Sequence, residues 1–300
     1  MKSLVLLLLL ATGAASDGAA RSGAAYVVDV EAWRASREAR LRAPDGWLAV
    51  VGLTWLHQGE NRFGSAADDD VVLPAATPPH AGSFVLEGTT VRLTIPSGSP
   101  VTLNGKPATS RVLRTDVSAT PDVLGVGSLT WQLIERGGRI GVRVSDRDTP
   151  LRTSWLGTRW FAIDPAYRVV ARLEPREGEM VVPDASGGKQ TLKSPGTLTF
   201  MLGGKPQRLQ PVLDGDDDGD QLVVFRDATS GRETYGGGRF VRARRQPDGT
   251  FVVDFNRAYA PPCAFTPYAT CPLPPAQNRL RVAIPAGERS LGEGNGNARR

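Results

Sequence analysis

Histidine and cysteine are almost missing from this chain: its 300 residues hold two of each. Both histidines, His57 and His80, precede residue 81, so nothing beyond that point can supply an imidazole to take a serine's proton. No Gly-x-Ser-x-Gly elbow occurs either, and both absences argue against Ser-His-Asp hydrolysis. Cys263 and Cys271 lack the nearby histidine or second cysteine pair that would complete a zinc site. A cysteine nucleophile needs a free thiol and a neighbouring base, and two cysteines in one exported chain read first as a disulfide. Closing so short a loop would stabilise by about 2 to 3 kcal/mol on the chain-entropy estimate. Gly236-Gly237-Gly238 lacks the Lys and Ser/Thr of a phosphate-cradling loop. Lys and Arg form no run interleaved with aromatics, and a net charge of +5 is modest for this length, which argues against nucleic acid. No cofactor and no metal is expected.

The first residues are more telling. Met1-Lys2-Ser3 leads into Leu4, Val5 and an unbroken leucine run over 6–10, then Ala11-Thr12-Gly13-Ala14-Ala15-Ser16. A basic start, a short apolar stretch and small residues at the exit form the pattern of a secretory signal, assigned to 1–16. The apolar stretch is well short of the roughly 18 to 20 residues of a membrane span, and no other segment approaches that length. No cysteine follows it for lipid attachment. The expected location is the periplasm or the outside of the cell.

Thirty-four glycines and 23 prolines suit many short strands joined by turns. One helix is expected within 26–46: Asp29 can cap it, Ala, Arg and Glu favour it, and Pro44 with Asp45-Gly46 stops it. Trp33, Arg37 and Leu41 then share a face. From Trp47 the period becomes two, with turn signals at Asn104-Gly105, Gly137-Gly138 and Pro247-Asp248-Gly249. The fold class is all-β, divided into 47–147 and 148–288. The tail 289–300 is too polar and Gly-rich to pack.

Gly64-Ser65, Asp70 to Pro74, His80-Ala81, Val91 to Leu93, Asn104-Gly105-Lys106 and Leu113-Arg114-Thr115-Asp116 resemble, in order and spacing, a forkhead-associated domain. That resemblance implies an 11-stranded β-sandwich and recognition of phosphothreonine peptides. This chain departs from it by Ser65 where the family has Arg after its Gly, and by Thr77-Pro78-Pro79 where it has a Ser before the His. Without those groups the charge-assisted clamp on a phosphate is missing, so the sandwich is expected and phosphopeptide binding is not. His80 and His57 read as turn residues.

The C-terminal third is dense in polar and aromatic residues: Phe225-Arg226-Asp227-Ala228-Thr229-Ser230-Gly231-Arg232-Glu233-Thr234-Tyr235, then Asp254-Phe255-Asn256-Arg257-Ala258-Tyr259-Ala260-Pro261-Pro262-Cys263 and on through Tyr268, Cys271, Asn278 and Arg279. With Gly59 to Ser65 and Arg143 to Asp148 upstream, these runs resemble the bacterial family known as domain of unknown function 1684, from about Trp33 to Glu288. The resemblance brings extent and no activity, and Ala260 departs from the Asn associated with that place. Physically, the prolines fix a stiff extended loop able to present Tyr259, Tyr268, Asn278 and Arg279, with Thr234, Tyr235, Arg239 and Asn256 on or beside neighbouring strands, as candidate ligand-binding residues. The loop can equally be a cover over the end of the β-domain, and Asp227 or Asp254 can pair internally with Arg239. Asp227, Glu233 and Asp254 are candidate acid–base carboxylates for glycoside chemistry. Asp214-Gly215-Asp216-Asp217-Asp218-Gly219-Asp220 places carboxylates at calcium-loop positions, but Phe225 stands at the twelfth in place of Glu, and a solvated acidic turn is the better reading. The expected function is a ligand- or partner-binding protein of the cell envelope, taking a small molecule, a glycan or an envelope protein. The alternative is a hydrolase of an envelope polymer.

Overall fold

Alternating apolar residues and frequent turn-forming dipeptides build two β-domains, preceded by one helix. The computed structural model describes residues 13–213 and 219–290. The leader reading of 1–16 lies mostly outside them, as do the acidic stretch 214–218 and most of the tail. No helix among the described residues is long and apolar enough to cross a membrane.

Helix α1 spans Gly13–Arg42. It begins well before Asp29, which is therefore an interior residue and not the expected cap. The stretch ahead of it is rich in Ala and contains no proline, so the helix continues through its glycines. The C-terminal stop is as read: Gly46 N–H donates to the Ala43 carbonyl at 2.8 Å. A Cβ at Gly46 would collide with the Arg40 and Leu41 carbonyls.

The first domain comprises β1 (Val50–Trp55), β2 (Gly59–Gly64), β3 (Val71–Val72), β4 (Gly82–Glu87), β5 (Thr90–Thr94), β6 (Thr102–Leu103), β7 (Lys106–Pro107), β8 (Arg111–Leu113), β9 (Val123–Val126), β10 (Leu129–Arg136) and β11 (Arg139–Asp146). They form sheets ordered β1-β11-β10-β9-β6-β7 and β3-β2-β4-β5-β8, the 11-stranded sandwich expected. Phe63 and Phe84 stack at 4.5 Å between the sheets, with Trp131 edge-on to Phe63 at 6.0 Å. Burying such aromatics supplies a large part of a sandwich core's stabilisation. His80 sits in a turn at φ 48°, its Nδ1 2.9 Å from Asp69 Oδ1, a structural placement.

A short helix α2 (Pro150–Thr153) leads into the second domain. Its strands are β12 (Arg168–Pro183), β13 (Lys189–Leu202), β14 (Lys205–Leu209), β15 (Gln221–Phe225), β16 (Arg239–Arg245) and β17 (Phe251–Asp254), ordered β14-β13-β12-β17-β16-β15. The sheet curls so that its two ends meet: Val212 and Leu222 exchange both backbone hydrogen bonds, at 2.8 and 3.1 Å. The second half is thus one six-stranded sheet closed into a barrel. Val223 and Phe225 point to one apolar cluster with Val169, Leu198, Val241 and Phe255, while Leu222 and Val224 point to the other face with Phe240, Ala269 and Cys271. The period of two thus decides which residues fill the barrel and which receive the cysteine loop.

Candidate groove between the helix and the barrel

Along α1, Tyr26, Val30, Trp33, Arg37 and Leu41 recur at helical spacing and all turn toward the body. Trp33 meets Trp160 edge-on at 5.9 Å and Tyr259 at 6.1 Å. Arg37 lies over the Tyr259 ring at 4.5 Å, donates to Glu288 Oε2 at 2.8 Å and to the Ala260 carbonyl at 2.7 Å. These contacts hold α1 across the outside of the barrel and leave a groove of about 860 Å³ beside it.

The barrel supplies the groove's floor. In β16 the inward residues Val241 and Ala243 alternate with the outward Arg242 and Arg244. Register places Arg244 opposite Val252 and Arg168 opposite Asp254, so the two strands flanking β17 present arginines on one outer face. Arg168, Arg242, Arg244 and Arg257 line the groove against Asp29 and Asp254. Arg257 is committed to both carboxylates, bonded to Asp29 and 3.3 Å from Asp254. Arg168 and Arg244 have no ion-pair partner among the described residues. Tyr26, Trp33 and Tyr259 form an aromatic wall. Burial above all, then its bond to Asp254, pushes the Tyr26 phenol well up from its ordinary value, so it stays a neutral donor.

The sequence-derived candidates divide sharply. Asp254 and Tyr259 line the groove. Asn256 lies beneath it, fully buried, donating to Asp164 O at 2.7 Å and to the Tyr26 hydroxyl at 2.9 Å. Asp227 is buried elsewhere and saturated: it accepts from Arg239 at 3.2 Å, from the Thr229 hydroxyl at 2.8 Å and from Ile284 N–H at 2.7 Å. Arg239 also donates to the Ala286 and Ile284 carbonyls, and the Thr234 hydroxyl lies 3.0 Å from that of Thr229. Asn278 ties Gln210 and Val224 backbone groups together, at 2.7 to 2.8 Å. Glu233 and Arg279 are exposed, and Tyr268 is half-buried on the cysteine loop. Ala260 packs with Leu41, Trp155 and Phe265.

Cys263 and Cys271 are unbonded thiols in the structure, so the expected disulfide is not shown. Cys271 Sγ instead accepts the backbone N–H of Cys263 at 3.2 Å, an arrangement in which the sulfurs are neighbours and unbonded. The Tyr235 hydroxyl donates to the Cys263 carbonyl at 3.1 Å. No group of three or more His, Cys, Asp or Glu side chains suited to a metal ion occurs among the described residues.

Sequence reasoning passed over Arg168, Arg242, Arg244, Arg257 and Tyr26. The signal available was the alternation Val241-Arg242-Ala243-Arg244, which puts two arginines on one face of a strand.

Residues 153–289 match the family described as "Protein of unknown function (DUF1684)". The solution NMR structure of an uncharacterised protein of Haloarcula marismortui is 34% identical, covering 47% of this chain and 80% of that one, with a TM-score of 0.39. Residues 153–289 belong to the DUF1684 family. The family match is narrower than the resemblance drawn from sequence, since it begins beyond the first sandwich. Two forkhead-associated domains, one from a study of phosphothreonine-dependent interactions and the other FhaA's domain in complex with an intracellular domain, are each 18% identical. They cover 31% and 30% of this chain and 92% and 96% of their own, both with a TM-score of 0.22. No curated protein matches the chain.

Proposed function

We propose that this DUF1684 protein is an exported binding protein of the cell envelope, whose groove between α1 and the barrel takes a small acidic molecule or an acidic glycan unit. The carrying observation is the arginine stripe: Arg168 and Arg244 face a groove of about 860 Å³, and among the described residues no carboxylate is bonded to either. That volume lies within the roughly 300 to 1,000 Å³ typical of small-molecule sites. Guanidinium groups present a planar fork that matches carboxylate or phosphate oxygens. The aromatic wall of Tyr26, Trp33 and Tyr259 suits the apolar face of a sugar ring or a short acyl chain.

Hydrolysis through Asp227, Glu233 and Asp254 has less support. Asp227 is held by Arg239, and Asp254 accepts from Tyr26 at 2.8 Å and from Asn256 N–H at 3.1 Å. A general acid or base must exchange a proton with substrate, and these two carboxylates are already engaged with protein donors.

Trp33 provides the assay. Glucuronate, citrate and inorganic phosphate would be titrated separately while tryptophan fluorescence is followed, at low and high salt. At least one should give a saturable change that weakens with salt, and Arg168→Ala and Arg244→Ala should each weaken it by about tenfold, the worth of one charge-assisted hydrogen bond. Failure of all three anions to saturate, or unchanged affinity in the double variant, would sink the reading.

A further inference from the structure

Cys263 and Cys271 play no part in the groove, yet their surroundings are built for more than packing. Both ends of their loop are anchored. Cys263 sits in the tight turn Pro262–Ala264, behind two prolines that fix its approach. Cys271 is held through its carbonyl, which accepts Ala185 N–H at 2.9 Å, while Gln190 donates to the neighbouring Thr270 carbonyl at 2.6 Å. The hairpin of β12 and β13 therefore fixes one thiol and the proline turn the other. Cys271 Sγ lies one hydrogen bond, 3.2 Å, from the backbone of Cys263.

A third group arrives from the other domain. Arg143 of β11 is buried, its Nε is without a hydrogen-bond partner, and its one side-chain hydrogen bond is to the Thr270 hydroxyl at 3.5 Å. It packs over the Trp47 ring at 4.9 Å. No carboxylate forms an ion pair with it among the described residues. A buried guanidinium with no bonded counter-ion is costly, and Arg136, Asp116 and Cys271 are the ionisable groups whose charge it feels.

We propose that Cys263 and Cys271 are a reversible redox dithiol that exchanges with external disulfides, with Cys263 attacking first and Cys271 resolving under the field of Arg143. In the first step the Cys263 thiolate attacks one sulfur of an external disulfide. A mixed disulfide forms, the external S–S bond breaks, and one external thiolate leaves. In the second step Cys271 loses its proton to solvent and its thiolate attacks the Cys263 sulfur. The protein disulfide forms and the second external thiolate leaves. Two protein thiols are oxidised by two electrons, the external disulfide is reduced to two thiols, and the two protons released balance the two thiolates.

The asymmetry of the pair supports this order. Cys263 is the more exposed thiol, and the hydrogen bond from Cys271 holds it below the ordinary thiol range. The same hydrogen bond, followed by burial, pushes Cys271 up. Once Cys263 is in a mixed disulfide, its negative charge is gone and that hold on Cys271 lapses. What remains is burial, which still raises it, set against the Cys263 backbone N–H and Arg143, both of which favour a Cys271 thiolate. The resolving thiol is thus activated by completion of the first step.

The test uses the full folded chain, reduced and then exposed to oxidised glutathione, quenched with an alkylating reagent and weighed by intact mass. Wild type should lose both free thiols, gain no lasting glutathione adduct, and recover both on addition of reduced glutathione. Cys271→Ser should hold one glutathione on Cys263, and Cys263→Ser should acquire one at least tenfold more slowly. Arg143→Met should leave the first step unchanged and prolong the mixed disulfide by about tenfold, with Arg143→Lys restoring much of the rate. Circular dichroism on every variant separates these effects from misfolding. Two thiols that stay free in the folded protein and react only in urea would overturn the proposal. So would equal adduct rates in the two serine variants.

Discussion

Arg239 carries a charge into a place where its side chain has no exposed surface, and Asp227 meets it there, equally buried, at 3.2 Å. Burial pulls the guanidinium down from its ordinary value, while Asp227 works in the opposite direction. Such a pair is worth little against an apolar replacement of both partners, yet removing one leaves the other's charge stranded. Arg239→Met should therefore cost about 3 to 5 kcal/mol in urea unfolding. Asp227→Asn added to it should recover a substantial part, because the Thr229 hydroxyl and Ile284 N–H still serve the amide oxygen. No recovery in the double variant would mean that the guanidinium's bonds to the Ala286 and Ile284 carbonyls, and not charge balance, hold the segment.

Among the elements, α1 has the most to explain, since it forms one wall of the groove and is the only long helix among the described residues. Its face was legible: Trp33, Arg37 and Leu41 follow from spacing alone. Its beginning was not, because Asp29 looks like a cap and in fact reaches sideways to Arg257. The short strands were legible where apolar residues alternate, as in Leu129–Arg136 and Phe251–Asp254. The outer halves of β12 and β13 were not. Pro175, Gly178 and Gly196 break the pattern there, and a bulge between Pro175 and Gly178 absorbs them. Gly196, at φ +149°, lies where a Cβ would collide with the Glu174 carbonyl. What secures that extension is Met180 and Val182 packing with the cysteine loop, a long-range contact invisible to local pattern. The site was misjudged for a related reason. Dense polar motifs attract notice, but in this protein most of them satisfy buried backbone groups, whereas the groove's arginines are spread one or two to a strand. Trp33→Ala tests the element's role. Losing its edge contacts to Trp160 and Tyr259 should cost about 2 kcal/mol in urea unfolding and abolish the fluorescence response to bound anion. Unchanged stability would show that α1 is held by Arg37 and Leu41 without it.

Across the whole molecule, the helix and the C-terminal segment are joined by one buried contact, Arg37 to Glu288, 251 positions apart. Glu288 also fixes the chain's return, donating its N–H to the Ala258 carbonyl at 2.8 Å and bridging to Trp160. Burial raises its carboxyl above the ordinary value despite Arg37, and its Oε1 has no hydrogen-bond partner. The folded state therefore binds this proton more tightly than the unfolded chain does. Its contribution is fully present below the unfolded value, about 4.3, and is lost as pH rises through the folded value. At neutral pH the ionised group is, on balance, a burden. Glu288→Gln keeps an acceptor for Arg37 and removes the buried charge, so it should raise stability at pH 7, with the gain shrinking to nothing as pH falls below about 4. Glu288→Ala removes the acceptor as well and leaves Arg37 unpaired, which should cost about 3 to 5 kcal/mol. Urea unfolding of the three proteins across that pH range decides the matter. If Glu288→Gln is the less stable at pH 7, then Arg37 outweighs burial and the contact that joins the two ends of the fold is a true ion pair.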